Sequence, residues 1–471
     1  LTVLYLIGYK IHMKRPVTPP DIDKWEEYLE NYVKAHTPHR VMVLYDWLSK
    51  ASQSGAYLHW DEFRFRRLPE DALEGMSKEV YWLAMKIGRR NSRRYIPFES
   101  KNTNAPPFSF SHPDCLLAGL RHIDVKSAGS VSTSREAISP MDTQRYMVRS
   151  ILEEPFSSSV LEGAATTRLK AKEIIEKGVK PKTNDERMVL NNYHAMVFIK
   201  EHKDDVLTPE LVLECHRIIT EGTLARPEMA GCLRNSNDVV VGDDYGEVFH
   251  VPPDYRELAA RLELLCDFAN GDEDGTGIFI HPITKAIILH FMLAYDHPFV
   301  DGNGRVARAL FYWSVLRSGY WLLEYISISK IIKQAPARYG RAFLYTETDE
   351  NDLTYFILHQ IDVIKRAIAE LEVYLERQKQ NYQKLIRILD SEGLNHRQMQ
   401  TLEDFVKGRI GEITIGQYEQ NFRVSYLTAR KDLDELKKRR FLGRTQRGRT
   451  YYYRPGSRLA DLRREQRNSI F

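Results

Sequence analysis

The twelve residues His297-Pro-Phe-Val-Asp-Gly-Asn-Gly-Arg-Val-Ala-Arg308 place a base, a hard anion, two glycines and two guanidinium groups in one segment. Chemistry on a nucleotide phosphate needs charge neutralised, a metal positioned and an incoming hydroxyl deprotonated, and these residue types meet those needs. Gly302 and Gly304 let backbone amides approach an anion closely. The apolar run that follows predicts a buried helix, whose N-terminus adds free N–H donors and partial positive charge. Arg305 and Arg308 stand three apart on that helix and so share a face. Each presents a planar fork suited to phosphate oxygens. Asp301 is the kind of oxygen ligand that magnesium takes beside phosphates and water. His297 titrates near neutrality and can accept a hydroxyl proton. Singly these residues are ordinary, since His-Pro is commonly structural and Asp-Gly-Asn-Gly is a turn sequence. Grouped at the polar end of a buried helix, they describe a phosphate and metal loop.

The elements that would position this loop are mostly helical. Helical spacing is predicted over residues 143–154, 157–176, 184–202, 208–222 and 255–270, and again over 282–295 and 306–318, which are apolar enough to be central. Between them, Asp238-Val-Val-Val and Glu247-Val-Phe-His-Val flank a Gly242–Gly246 turn, a hairpin pattern. A long helix with dispersed charge is predicted over 352–379. The expected class is mainly α with one hairpin, in three domains: 1–140, of mixed helix and short strand and without readable chemistry; 141–380, carrying the loop; and 381–471.

Residues 381–471 predict three helices followed by a basic hairpin. There, basic residues outnumber acidic ones by roughly nine, while the whole chain has a net charge of only +4. The pattern is that of a polyanion-binding module on a near-neutral body. Cys115, Cys215, Cys232 and Cys266 are scattered, with neither Cys-x-x-Cys pairs nor a His cluster, so the expectation is reduced thiols in a cytoplasmic protein. The opening Leu1–Gly8 run is too short to span a bilayer and lacks the marks of a signal peptide, so no membrane role is expected. Met13 precedes a more ordinary start, and residues 1–12 are treated as a candidate gene-calling artefact.

The central segment resembles the signature of Fic-domain proteins, His-Pro-Phe-x-Asp-Gly-Asn-Gly-Arg-x-x-Arg, at every fixed position. The resemblance extends over roughly residues 143–370. It implies a helical Fic core with a hairpin flap and transfer of AMP from ATP to a Ser, Thr or Tyr hydroxyl of a protein, the chain itself among the candidates. By that resemblance His297 is the base and Asp301 holds Mg²⁺. Gly302, Asn303 and Gly304 cradle phosphates, and Arg305 and Arg308 bind the β- and γ-phosphates. The hairpin at 238–251 is the flap on which a target protein docks by strand pairing. Doc-type toxins, relatives with kinase chemistry, carry lysine where this chain has Gly304, which favours AMP transfer here. A homodimer is implied by family alone.

Ser158-x-x-x-Glu162-Gly163 resembles the inhibitory motif of autoinhibited Fic proteins. A Glu162 carboxylate on Arg308 would occupy the guanidinium needed by the γ-phosphate. Two other readings stay open: a hydrolase that removes AMP with Glu162, and a DNA-binding regulator whose Fic domain senses nucleotide. The C-terminal residues 414–454 resemble a winged helix-turn-helix, with Tyr426, Thr428, Arg430 and Lys431 on the recognition helix and Arg444, Arg447, Arg449 and Arg454 in the wing. The resemblance implies DNA as a partner.

Overall fold

The computed structural model describes residues 2–5, 14–51, 56–70, 72–73, 75–90, 92–98, 106–127, 152–242, 247–271, 279–407 and 409–461. They form two compact units, one within residues 2–127 and 152–371 and the other within residues 372–461. The helix predicted over 143–154 lies largely outside the described residues.

The first unit begins with β1 (Thr2–Tyr5) and the helices α1 (Asp23–Ala35), α2 (Pro38–Ala51), α3 (Trp60–Phe63) and α4 (Lys78–Arg90). A short antiparallel ladder of β2 (Arg94–Tyr95) and β3 (Ser109–Phe110) leads to α5 (Asp114–Ser127). The central helices are α6 (Glu153–Leu161), α7 (Arg168–Lys177), α8 (Asn184–Glu201) and α9 (Pro209–Thr220). Thr167, Thr183 and Thr208 start α7, α8 and α9 by accepting from backbone amides of their first turns. The hairpin β4 (Val239–Gly242) and β5 (Val248–His250) precedes α10 (Leu258–Asn270), α11 (Pro282–Asp296) and α12 (Asn303–Arg317). Then come α13 (Ile328–Gln334), α14 (Pro336–Thr348) and α15 (Thr354–Asp390). As the uninterrupted apolar runs predicted, α11 and α12 form the buried centre: Val306 to Leu316 are all buried on α12.

One expectation is corrected. The helix predicted over 157–176 is two helices. Gly163, at φ +98°, ends α6, and the Ala164 amide returns to the Ser159 carbonyl, as a glycine in a left-handed position allows. The described residues up to Ser127 lie in the same compact unit as the loop. Lys86 pairs with Asp349 and, at 2.9 Å, with Glu350; Arg93 reaches Glu350 at 2.9 Å; the Tyr57 hydroxyl donates to Asp352 at 2.5 Å. Phe108 sets its edge on Phe291 and Tyr295 of α11, with centroids 5.7 and 5.0 Å away. No local pattern could announce partners about 250 residues distant.

The sheet containing the hairpin has the order β1-β4-β5, with β1 parallel to β4 in the register Thr2↔Val239 to Tyr5↔Gly242. The hairpin itself is antiparallel, and its turn at 243–246 lies outside the described residues.

The second unit contains α16 (His396–Lys407), β6 (Ile413–Thr414), α17 (Ile415–Phe422), α18 (Tyr426–Lys438) and the hairpin β7 (Leu442–Arg447) and β8 (Thr450–Pro455), with strand order β6-β8-β7. Its core gathers Leu402, Phe405, Tyr418, Leu433, Leu436 and Tyr453. Thr414 closes a capping box on α17 and Ser425 caps α18. Among the described residues, no helix is long and apolar enough to cross a membrane.

Candidate active site

The helix α11 ends where His297 turns into the left-handed region, at φ +47° and ψ +55°, and the segment 298–302 leads into α12. Asn303 braces this turn from within. Its Oδ1 accepts from the Phe299 amide and its Nδ2 donates to the Phe299 carbonyl, both at 2.9 Å. Gly302 stands at φ +89°, and a Cβ there would lie 3.0 Å from Thr220 and 3.3 Å from the His216 ring. A second histidine supports the loop from α9. His216 stacks on Phe299 with centroids 3.8 Å apart, accepts from the Gly231 amide at Nδ1 and donates from Nε2 to the Asp301 carbonyl. Burial pulls its imidazole down to about 4, so it serves as a neutral brace.

The loop lines a cavity of about 640 Å³, including its open mouth, whose wall contains His297, Asp301, Gly302, Asn303, Gly304 and Arg308. Glu162, His250, Tyr339, Phe343 and Glu347 line it as well. Burial pulls His297 down to about 3, and the neighbouring His250 and Arg234 act in the same direction. Its Nδ1 faces the Ala294 carbonyl at 3.3 Å. A proton held on Nδ1 leaves Nε2 with its lone pair, the state a general base needs. Burial works to raise the Asp301 carboxyl, but Arg305, the Gly302 amide and His216 together hold it below the usual carboxylate range.

The two arginines that share helical spacing do not share an environment. Arg308 lies on the cavity wall, whereas Arg305 is not among the lining residues. Its side chain is fully buried, pairs with Asp301 at 3.0 Å and donates to the carbonyl of Ile219 at 3.5 Å. In this structure it braces the loop.

Arg308 is bound by α6. Its Nη2 pairs with Glu162 Oε1 at 2.8 Å, and its Nε donates to the Ser158 hydroxyl at 2.9 Å. Burial alone would lower this guanidinium; Glu162, Tyr339 and Glu154 outweigh it and hold it above its ordinary value. The Glu162 carboxylate also lies against Gly304, where any Cβ would collide with Oε1. At its other end α6 is held by Glu154. This buried carboxylate accepts from the Ser327 hydroxyl at 2.7 Å, the Ser329 amide at 3.1 Å and the Ser329 hydroxyl at 2.5 Å.

The hairpin is fixed to the loop at two places. His250 on β5 reaches Glu347 through Nδ1 and the Tyr295 carbonyl through Nε2, both at 2.7 Å. Arg234 donates from Nε to the His297 carbonyl at 3.0 Å. The sequence reading missed His216, Arg234, His250, Glu154 and Glu347. A cluster signal would have needed several polar residues close together, and these are single polar groups in unrelated helices and turns.

Residues 206–315 match the Fic/DOC family. Over that segment the chain is similar to Fic/DOC domains. A protein adenylyltransferase Fic of Drosophila willistoni is 27% identical over 246 residues, which are 49% of this chain and 47% of that protein. One from Aedes aegypti is 26% identical over 267 residues, 54% of this chain and 49% of that protein. The chain therefore spans about half the length of the curated relatives it matches. A crystal structure of a Fic family protein from Desulfovibrio desulfuricans G20 aligns with 75% of this chain and 98% of its own, at 19% identity and a TM-score of 0.49.

Proposed function

We propose that this Fic domain transfers AMP from ATP to a hydroxyl of a protein and that α6 holds it in a braked state. One observation carries the reading: a neutral His297, the amide-rich start of α12 and Arg308 open on a single cavity, and Glu162 occupies the Arg308–Gly304 corner of it. In the reaction, Nε2 of His297 takes the target hydroxyl proton, the oxygen bonds to the α-phosphorus, and the bond to diphosphate breaks. Gly302 and Gly304 at the helix start receive phosphate oxygens, and Arg308 neutralises the terminal phosphate once Glu162 leaves. Asp301 offers one cavity-facing carboxylate, with 45% of its side chain exposed. That fits magnesium, which is commonly held by one or two carboxylates together with substrate phosphates. Mg²⁺ bound there would offset phosphate charge.

A target segment would dock on the flap by strand addition. In support, the β4 edge accepts an extended segment, Thr2–Tyr5, in parallel register. The deciding experiment incubates the chain, its Glu162→Gly variant and the Glu162→Gly/His297→Ala variant with α-labelled ATP, Mg²⁺ and a cell lysate. The expected result is weak labelling by the parent, strong labelling by the first variant and none by the second. Equal labelling by parent and Glu162→Gly would remove the brake from this reading. If Glu162 instead activates water, the parent would release AMP from pre-labelled protein and Glu162→Gly would not.

For the second unit we propose duplex DNA as the partner. At the start of α18, Tyr426, Leu427, Arg430 and Lys431 are exposed, as is the Arg447–Thr450 tip of the β7–β8 hairpin. Arg454 and Arg447 pair with Glu412, and Arg430 pairs with Asp434 at 3.6 Å, so a duplex would have to draw these guanidinium groups from carboxylates of the same unit. Retardation of mixed-sequence duplexes that weakens steeply with salt is expected. Absence of binding at low salt would refute it.

A further inference from the structure

Transfer to a protein hydroxyl demands more than a base and a nucleotide. The docked strand must present its hydroxyl at one height above His297, so the flap's register against that residue has to be fixed. The described residues contain a device suited to this, outside the signature segment.

Arg234 precedes the flap and is only 3% exposed. Its guanidinium donates in three directions. Nε reaches the His297 carbonyl at 3.0 Å. Nη1 reaches the Ser236 carbonyl at 2.8 Å and Asn237 Oδ1 at 3.1 Å, on the leg entering β4. Nη2 reaches the carbonyl of Pro253, on the leg leaving β5. The Arg234 amide also donates to the Pro298 carbonyl at 2.8 Å. Asn237 tightens the junction further, accepting from the Tyr255 amide at 2.9 Å and donating to Asp254 at 3.0 Å. Both legs of the hairpin and the backbone of the catalytic histidine are therefore gathered on one planar cation. Lysine, a point charge, cannot span those acceptors. Arg234 does not line the nucleotide cavity.

We infer that Arg234 is a positioning residue that sets the flap's strand register against His297, and that it governs transfer to a protein acceptor but not nucleotide binding. The inference rests on the reading of this domain as a protein AMP transferase. With Arg234 replaced, His250 still ties β5 to Tyr295 and Glu347, so the hairpin stays attached but its height above His297 is no longer fixed. A displacement of about 1 Å at a reacting centre can lower a rate by about a hundredfold.

The test uses the full chain in the Glu162→Gly background, with Arg234→Lys and, as a milder variant, Asn237→Ala. Three quantities are read with α-labelled ATP and Mg²⁺: nucleotide affinity, label on lysate proteins, and free AMP formed when water is the acceptor. Arg234→Lys should lower protein labelling by about a hundredfold, leave nucleotide affinity unchanged and raise the ratio of free AMP to protein-bound AMP. Asn237→Ala should shift the same ratio less. Labelling equal to the background, or a loss that tracks weakened nucleotide binding or a lowered melting temperature, overturns the proposal. If the Glu162→Gly background labels no protein and forms no AMP, the underlying transferase reading fails, and this inference falls with it.

Discussion

Two buried guanidinium groups, Arg308 on the cavity wall and Arg234 at the base of the flap, are held by different kinds of contact. At the phosphate end, Arg308 is met by an anion, Glu162, at 2.8 Å. At the flap base, Arg234 is met by three backbone carbonyls and an amide oxygen. A carboxylate on a guanidinium can be exchanged for a phosphate, because both offer the same charge and a matching pair of oxygens. Buried carbonyls cannot be exchanged for anything a substrate brings, and leaving them unpaired costs about 1–3 kcal/mol each. On the proposed function, the Glu162 contact is built to be vacated and the Arg234 junction to hold.

That contrast can be broken at several points. The largest effect is expected from His297→Ala in the Glu162→Gly background, where loss of the base should lower transfer by about 10²–10⁴-fold, read as initial rates of label incorporation. Next, Arg308→Leu in the same background should reduce transfer by about 10²-fold or more, with a rise in KM for ATP, since it removes the phosphate partner itself. The same change in the parent should add no activity despite freeing Glu162.

A smaller effect of opposite sign is expected at the far end of the brake. Glu154→Gln weakens the hold of α6 on Ser327 and Ser329 and leaves Glu162 and Arg308 intact. Charged hydrogen bonds contribute about 1.5–3 kcal/mol, so partial release should raise parent transfer by about tenfold. Combined with Glu162→Gly it should add little, because both changes open one latch. An activity loss, or full additivity, would show that Glu154 only stabilises the fold.

The smallest effect is on pH. A free imidazole gains its proton near 6.5, but His297 is held neutral down to about 3. As pH falls, the unfolded chain takes up this proton first, so the stability linked to His297 is present above about 6.5 and declines below it. In the free enzyme the His297 acid limb of kcat/KM should lie near 3 and so be absent between pH 8 and 5. An acid limb near 6.5 that His297→Ala abolishes would contradict this arrangement.

Much of the phosphate end was readable in the sequence because its parts are contiguous or sit in short fixed spacings. His297, Asp301, Gly302, Asn303, Gly304 and Arg308 line one cavity, and Ser158 and Glu162 meet Arg308. Arg305 lies off the cavity lining, which its spacing could not foretell. Spacing of three puts two side chains on neighbouring paths of a helix, but it does not say where the cavity ends. Here Arg305 turns to Asp301 and Ile219. The break at Glu162–Gly163 was hidden because apolar residues recur on both sides of it, and it is the left-handed backbone of Gly163 that ends α6. Arg234 and the N-terminal region remained illegible because their meaning lies in backbone carbonyls and in partners far along the chain.

Gly304 has a consequence for how this domain can change over evolutionary time. The space its missing Cβ leaves is filled here by the Glu162 carboxylate, and a side chain would also stand 3.0 Å from Arg308 Nη1. The same hollow is where a nucleotide would have to lie. On the proposed function, a side chain there would displace Glu162 and crowd an ATP bound for AMP transfer at the same time, so it would not yield an unbraked transferase. On that reading release of the brake comes from α6, and position 304 is under a doubled selection to remain glycine.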